Sequence, residues 1–96
     1  MKLKFSGAST ARLNNSELLI SKDTMDSGKM ETIGDVLKHL CNTDTDVRSS
    51  FFDRHGELAH GTICIINKMD WEIVQREKTP VMYGDEMVLI STIHGG

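Results

Sequence analysis

The segment that decides the fold of this chain is Met87-Val88-Leu89-Ile90-Ser91-Thr92-Ile93. It is apolar at almost every position, which is typical of a strand with neighbours on both sides. Side chains alternate along a strand, so one face carries Met87, Leu89 and Ser91, and the other carries Val88, Ile90 and Thr92. We therefore predict a central strand over residues 87–93.

Two further strands are predicted near the start of the chain. Residues 2–5 alternate polar and apolar side chains, and residues 17–20 form a second short apolar run. Asn14 and Asn15 between them are typical turn residues. The pattern predicts an N-terminal β-hairpin.

The middle of the chain contains one clear helix. Thr32 and Asp35 have the spacing of a capping box, and the next residues place apolar side chains on one helical face. The helix ends between Asn42 and Asp44. Residues 43–60 are polar and interrupted, so we expect a long loop there, with a short strand or a helical turn as open alternatives within it.

Two more strands are predicted before the last one. Residues 62–66 are rich in β-branched side chains, which favour a strand. Residues 67–70 have turn chemistry, and residues 71–74 read as a short strand after it. The whole order is β-β-α-β-β-β, an α+β arrangement in which one main helix packs on one face of a mixed sheet. The β-grasp fold has this order, with its first and last strands parallel and adjacent. We expect a single domain over residues 1–96.

Composition excludes several classes of protein. The formal net charge is -3, with 11 Lys and Arg against 14 Asp and Glu, which argues against direct nucleic-acid binding. Two cysteines, Cys41 and Cys64, do not make a disulfide scaffold, and we expect reduced thiols. No apolar stretch is long enough to span a membrane. We expect a monomer in the cytoplasm or the nucleus, with no bound cofactor.

The sequence ends in Gly95-Gly96. The dipeptide alone is weak evidence, because short motifs carry false positives. Its position directly after the predicted central strand makes a functional role plausible in physical terms. Glycine lacks a Cβ, so the backbone of a diglycine can enter a narrow channel of a partner enzyme. A carboxylate becomes an acyl donor only once it is activated, for example by adenylation with ATP. We predict that Gly96 is the reacting residue, and that residues 94–96 form a flexible tail needing no proteolytic maturation.

No other cluster suggests an enzyme. The four histidines lack metal-ligand spacing, and no nucleophile–base pair is visible. Ile93, His94 and Gly95 are expected to present the tail to a partner. For His94, a plain exposed linker residue is an equally open alternative. A thiol at Cys64 within an apolar strand should have a raised pKa and low reactivity.

A partner surface is the other candidate site. Trp71 fits either a partner anchor or ordinary packing at the edge of the sheet or in the core. Val88 and Ile90 either form an exposed apolar patch or lie beneath residues 43–60, with Phe51 or Phe52 as the cover. The sequence leaves both pairs of alternatives open.

Three short segments resemble the eukaryotic ubiquitin-related modifier family. They are Ile65-Ile66-Asn67, Asp70-Trp71-Glu72 and Ile90-Ser91-Thr92-Ile93-His94-Gly95-Gly96. The resemblance implies a ubiquitin-like β-grasp fold and two linked roles. One is sulfur carriage for 2-thiolation of wobble uridine in tRNA, and the other is covalent attachment to lysines of target proteins.

The same resemblance implies the partners. An E1-like activating enzyme with a rhodanese domain would adenylate Gly96 with ATP and supply the sulfur. A tRNA thiolase complex would then collect it. The alternative from the residues alone is a non-covalent β-grasp interaction module whose diglycine is incidental.

Overall fold

A computed structural model describes residues 1–8 and 12–92 of the chain. Five strands form one mixed sheet in the order β2-β1-β5-β3-β4. Their bounds are β1 Lys2–Ser6, β2 Glu17–Leu19, β3 Thr62–Ile66, β4 Met69–Asp70 and β5 Glu86–Ser91.

The last strand is central, as the sequence predicts. β5 pairs in parallel with β1, from Lys2 opposite Glu86 to Ser6 opposite Ile90. On its other side β5 runs antiparallel to β3. The predicted extension to Ile93 is wrong for Thr92, because the ladder ends where Ser91 faces Thr62 at the start of β3. Ile93 itself lies outside the described residues.

Three helices connect the strands. They are α1 Lys22–Ser27, α2 Ile33–Thr43 and α3 Thr45–Phe51, and a 3₁₀ turn spans Arg76–Lys78. The main helix, α2, is the predicted one, and α1 is an addition. α3 lies where a helical turn is one alternative within the expected loop, and it is longer than a single turn. Within residues 1–8 and 12–92, no helix is both long and apolar enough to cross a membrane.

The start of α2 confirms the predicted capping box. The Asp35 backbone N–H donates to the Thr32 hydroxyl at 3.3 Å, and the Asp35 carboxylate accepts the Thr32 N–H at 3.1 Å. The carboxylate also accepts the N–H of Glu31 at 3.0 Å. These bonds lower the pKa of Asp35, with the Glu31 bond the largest cause. Two otherwise unpaired donors at the helix start are thus satisfied.

The loop expected at residues 43–60 is wrong over its first half, which is the helix α3. Asp44 ends α2 and caps α3, because its carboxylate accepts the N–H groups of Asp46 and Val47 at 3.0 and 3.2 Å. Val47 and Phe51, one helical turn apart, point into the core. Two apolar residues in a seven-residue helix are too few for a periodic signal, so only the tertiary contact reveals it.

The strand predicted at residues 71–74 is also misplaced. Asn67 and Lys68 have positive φ angles of 48° and 71°, and they make a two-residue hairpin turn. This tight turn brings Met69–Asp70 directly back onto β3, so β4 ends before Trp71. Residues 71–75 form turns instead of continuing β4. The Trp71 N–H still donates to the Cys64 carbonyl of β3 at 2.9 Å.

One core lies between the helices and one face of the sheet. The sheet contributes the alternate, fully buried side chains of β1, β3 and β5, and α2 contributes its apolar face. The main members are Leu3, Phe5, Cys64, Met87 and Leu89 from the sheet and Ile33, Val36, Leu37 and Leu40 from α2. Because the core lies on one side only, no helix within residues 1–8 and 12–92 covers the other face of the sheet.

Candidate functional site: the end of the central strand

The predicted reacting tail begins just beyond the described part of the chain. Ile93, His94, Gly95 and Gly96 all lie outside it, so the structure does not test the roles predicted for them. What it does describe is Thr92, the residue from which those four depart. The geometry around Thr92 therefore defines the site.

Thr92 is held twice by one backbone carbonyl. Its N–H donates to the carbonyl oxygen of Gly61 at 3.0 Å, and its hydroxyl donates to the same oxygen at 2.7 Å. Gly61 has a φ angle of 90°, a conformation that favours glycine. Gly61 immediately precedes β3, so both bonds attach the end of β5 to the start of its neighbour.

The other side of the strand end is contacted by Gly7. Gly7 follows β1 with a φ angle of 74°, and its N–H donates to the Asn14 side-chain oxygen at 2.8 Å. A Cβ added at Gly7 would overlap the Ser91 carbonyl oxygen and lie 3.2 Å from the carbonyl carbon. Only glycine therefore fits here without displacing the last residue of β5.

The segment after β1 is also tied to the helices. The guanidinium of Arg12 donates to Asp46 at 2.8 Å and to Asp44 at 3.3 Å. The hydrogen bond to Asp46 is the largest of the effects that raise the Arg12 pKa. Because Arg12 is exposed, these bonds position the segment more than they stabilise the fold.

The outer face of the sheet resolves one open alternative. Val88 and Ile90 are partly exposed there, and β3 places Ile65 and Ile63 directly opposite them. Residues 43–60 do not cover this face, because Phe51 packs against Phe5 in the core on the opposite side. We call the set Ile63, Ile65, Val88 and Ile90 the outer apolar patch.

Trp71 does not join the outer apolar patch. Its side chain is only 7% exposed and belongs to the buried core cluster. The Arg76 guanidinium lies over the ring, 5.0 Å from its centroid. The packing alternative from the sequence therefore holds, and the partner-anchor alternative is wrong for a side chain so fully enclosed.

The cysteines offer no reactive centre. Both are free and buried. Burial, with a smaller effect from Asp70, raises the pKa of Cys64 to about 12, so its thiol is a poor nucleophile, as predicted. His39, His55 and His60 join no metal-ligand set, since the described ranges contain no group of three or more His, Cys, Asp or Glu side chains placed to hold an ion.

Sequence reasoning missed the residues that hold the strand end. The sequence reading gave neither Gly7 nor Gly61 a role at the strand end, and it took Thr92 only as a strand residue. Neither glycine carries a local signal for its contact with β5, because both contacts join parts of the chain that are distant in sequence.

Three features together define the class of protein to which this chain belongs. They are the parallel pairing of β1 with β5, the main helix across one face of the sheet and the diglycine that follows the central strand in the sequence. They are the features of a ubiquitin-like β-grasp protein. The family model of Urm1 (Ubiquitin related modifier) matches residues 1–96, and the chain belongs to that family. It is accordingly a small ubiquitin-like modifier and not an enzyme.

Known relatives agree with this assignment. The chain is 54% identical to ubiquitin-related modifier 1 of Encephalitozoon cuniculi over 96 residues, which cover 100% of both chains. Its fold is similar to the small archaeal modifier protein 1 of Methanosarcina acetivorans, with a TM-score of 0.66, 20% identity and coverage of 99% and 94%. It is also similar to Urm1 of Trypanosoma brucei, with a TM-score of 0.63, 20% identity and coverage of 99% and 93%. At these identities the two structures support the fold alone.

Proposed function

We propose that this chain is a sulfur carrier for 2-thiolation of tRNA wobble uridine and also a modifier attached to protein lysines. Both roles use the carboxyl carbon of Gly96. Family membership supports the modifier role. The observation that carries the proposal is the sequence position of Gly95-Gly96, the third and fourth residues after Thr92, which directly follows the central strand.

Activation begins with attack of the Gly96 carboxylate on the α-phosphorus of ATP. Pyrophosphate leaves, and the carboxyl carbon becomes an acyl-adenylate. The terminal sulfur of an enzyme persulfide then attacks that carbon and AMP leaves, which gives an acyl disulfide. A second thiol attacks the enzyme-side sulfur, releases the thiocarboxylate on Gly96 and forms a disulfide. The sulfur is then available for tRNA.

Conjugation uses the same activated carbon. A lysine amine of a target protein attacks the Gly96 carbonyl, the activating group leaves and an isopeptide bond forms. Carriage and conjugation therefore share one activation step and diverge only in the final acceptor.

The partners follow from this chemistry. The activating partner is an E1-like enzyme that binds ATP and carries a rhodanese domain, and the sulfur acceptor is a tRNA thiolase complex. The four residues after Thr92 reach at most about 14 Å when extended, so the folded body has to dock close to the nucleotide site. The net charge of -3 suits a carrier that passes sulfur on without gripping tRNA. We place this monomeric carrier in the cytoplasm or the nucleus.

The test is an intact mass measurement. The chain is incubated with the activating enzyme of the same organism, ATP, a persulfide donor and a thiol. The expected product is heavier by the replacement of one oxygen by one sulfur. In a parallel reaction without the persulfide donor, a lysine acceptor should attack the activated Gly96 carbon, displace AMP and give an amide. The matched control lacks Gly96, which should abolish the mass change and leave the unfolding curve unaltered.

Cells provide the second half of the test. A strain without this carrier should lose thiolated wobble uridine and regain it with the wild-type chain. Restoration by the variant lacking Gly96 contradicts the assignment of the reacting carbon. Such a result favours the alternative of a non-covalent interaction module, which would act through the outer apolar patch.

A further inference from the structure

The end of β5 is anchored on both sides by residues distant in sequence. Gly61 accepts both hydrogen bonds of Thr92, and Gly7 packs against the Ser91 carbonyl. Thr92 itself is exposed, so the core does not hold it in place. These contacts are what determine where the chain leaves the sheet.

The short reach of the tail makes this departure point important. With only four residues after Thr92, a shift of an ångström or two at the strand end uses a substantial part of the reach of about 14 Å. A mobile departure point also adds backbone entropy that must be lost each time Gly96 enters the enzyme.

We propose that Gly7, Gly61 and Thr92 are positioning residues that orient the C-terminal tail for activation. The inference rests on the proposed function and adds a determinant of its rate. The Gly61 carbonyl fixes the last residue before the tail, and the missing Cβ of Gly7 lets the backbone at Gly7 lie against the Ser91 carbonyl. The folded body thereby presents Gly96 from a rigid base.

Two substitutions at Thr92 separate the effect of its hydroxyl group from the effects of side-chain shape and of the backbone hydrogen bond. Thr92→Val removes the 2.7 Å bond while keeping the side-chain shape and the backbone bond to Gly61. Thr92→Ser keeps the hydroxyl. The matched control is Thr43→Val, because the exposed Thr43 hydroxyl also donates to a backbone carbonyl at 2.7 Å, that of His39 in α2.

ATP–pyrophosphate exchange by the activating enzyme, with the carrier as the varied substrate, measures the effect. Thr92→Val should lower kcat about three- to tenfold and leave KM unchanged, because the docking surface is intact and only tail delivery is impaired. Thr92→Ser should stay within about twofold of the wild type. Thr43→Val should match the wild type.

Several outcomes overturn the positioning role. They are a wild-type kcat for Thr92→Val, an equal loss in Thr43→Val, or a change confined to KM. Gly7→Ala should give a larger kcat loss than Thr92→Val, and if it does not fold the Thr92 pair decides alone. Amide hydrogen exchange at residue 92 should be faster in Thr92→Val, and an unchanged rate also contradicts the inference. If the wild-type chain supports no ATP–pyrophosphate exchange, the proposed function itself is contradicted, and the positioning role with it.

Discussion

The ring of Phe5 lies 5.7 Å from the ring of Phe51, centroid to centroid, at an interplanar angle of 31°. This contact joins β1 to α3 and closes one end of the core. It matters for the site because β1 continues into Gly7, which packs against the end of β5. The position of the end of β5, from which the tail departs, thus depends in part on α3, a helix that local sequence patterns did not predict.

Truncation of Phe51 should be strongly destabilising. The side chain is fully buried, so Phe51→Ala should lower the free energy of unfolding by about 3–5 kcal/mol. Urea unfolding followed by circular dichroism measures it. Leu19→Ala is the control, because Leu19 is 72% exposed and its loss should cost no more than roughly 0.5 kcal/mol. Similar losses in the two variants would contradict the burial of Phe51.

The capping box should make α2 sensitive to acid. Backbone hydrogen bonds, that of Glu31 first, hold the pKa of Asp35 below its ordinary value. A depressed pKa in the folded state stabilises the fold above the unfolded pKa of about 3.9, and that contribution is lost as pH falls through the folded pKa. The free energy of unfolding of the wild type should therefore exceed that of Asp35→Asn by roughly 0.5–1 kcal/mol at neutral pH.

Urea unfolding of both proteins between pH 7 and pH 2 checks this. The other carboxylates contribute equally to both proteins, so they cancel in the difference between the two unfolding free energies. That difference should shrink only below about pH 4. A difference that stays constant down to pH 2 would show that the charge of Asp35 plays no part.

Cys64 should be inert in the folded protein. Its pKa of about 12 leaves roughly one thiolate in ten thousand at pH 8, and the buried side chain also blocks access. In a Cys41→Ser background, a thiol reagent should label Cys64 slowly in buffer and rapidly in urea. Equal rates in the two conditions would contradict the buried thiol. This background should still acquire sulfur on Gly96 at the wild-type rate.

Substitutions at two adjacent residues of β5 should separate stability from activation, one affecting mainly the fold and the other mainly the activating enzyme. Leu89 is fully buried, so Leu89→Ala should cost about 2–5 kcal/mol of unfolding free energy. Ile90 lies in the outer apolar patch, and Ile90→Ala should cost roughly 1 kcal/mol or less. If the patch docks on the activating enzyme, Ile90→Ala should raise KM for the carrier and leave kcat unchanged. An unchanged KM removes Ile90 from the docking surface.

Much of the fold follows from short-range patterns. The alternation of Lys2–Phe5, the Thr32–Asp35 capping box and the apolar run of β5 each appear within a few residues, so they predict strand, helix start and central strand correctly. The turn predicted at residues 67–70 is correct for Asn67 and Lys68 and wrong for Met69 and Asp70, which form β4. The strand after it was misplaced because nothing local shows how tightly a hairpin closes.

The sequence by itself determined the number of strands, the placing of the main helix after the first two, the central strand and the diglycine that follows it. Those features depend on periodicity and turn chemistry, which are encoded between neighbouring residues. Only the tertiary structure decided that Trp71 is buried, that α3 is a helix and that Val88 and Ile90 face away from the core. It alone brought Gly7 and Gly61 to the end of β5, because a contact between residues far apart in the chain exists only once the sheet has formed.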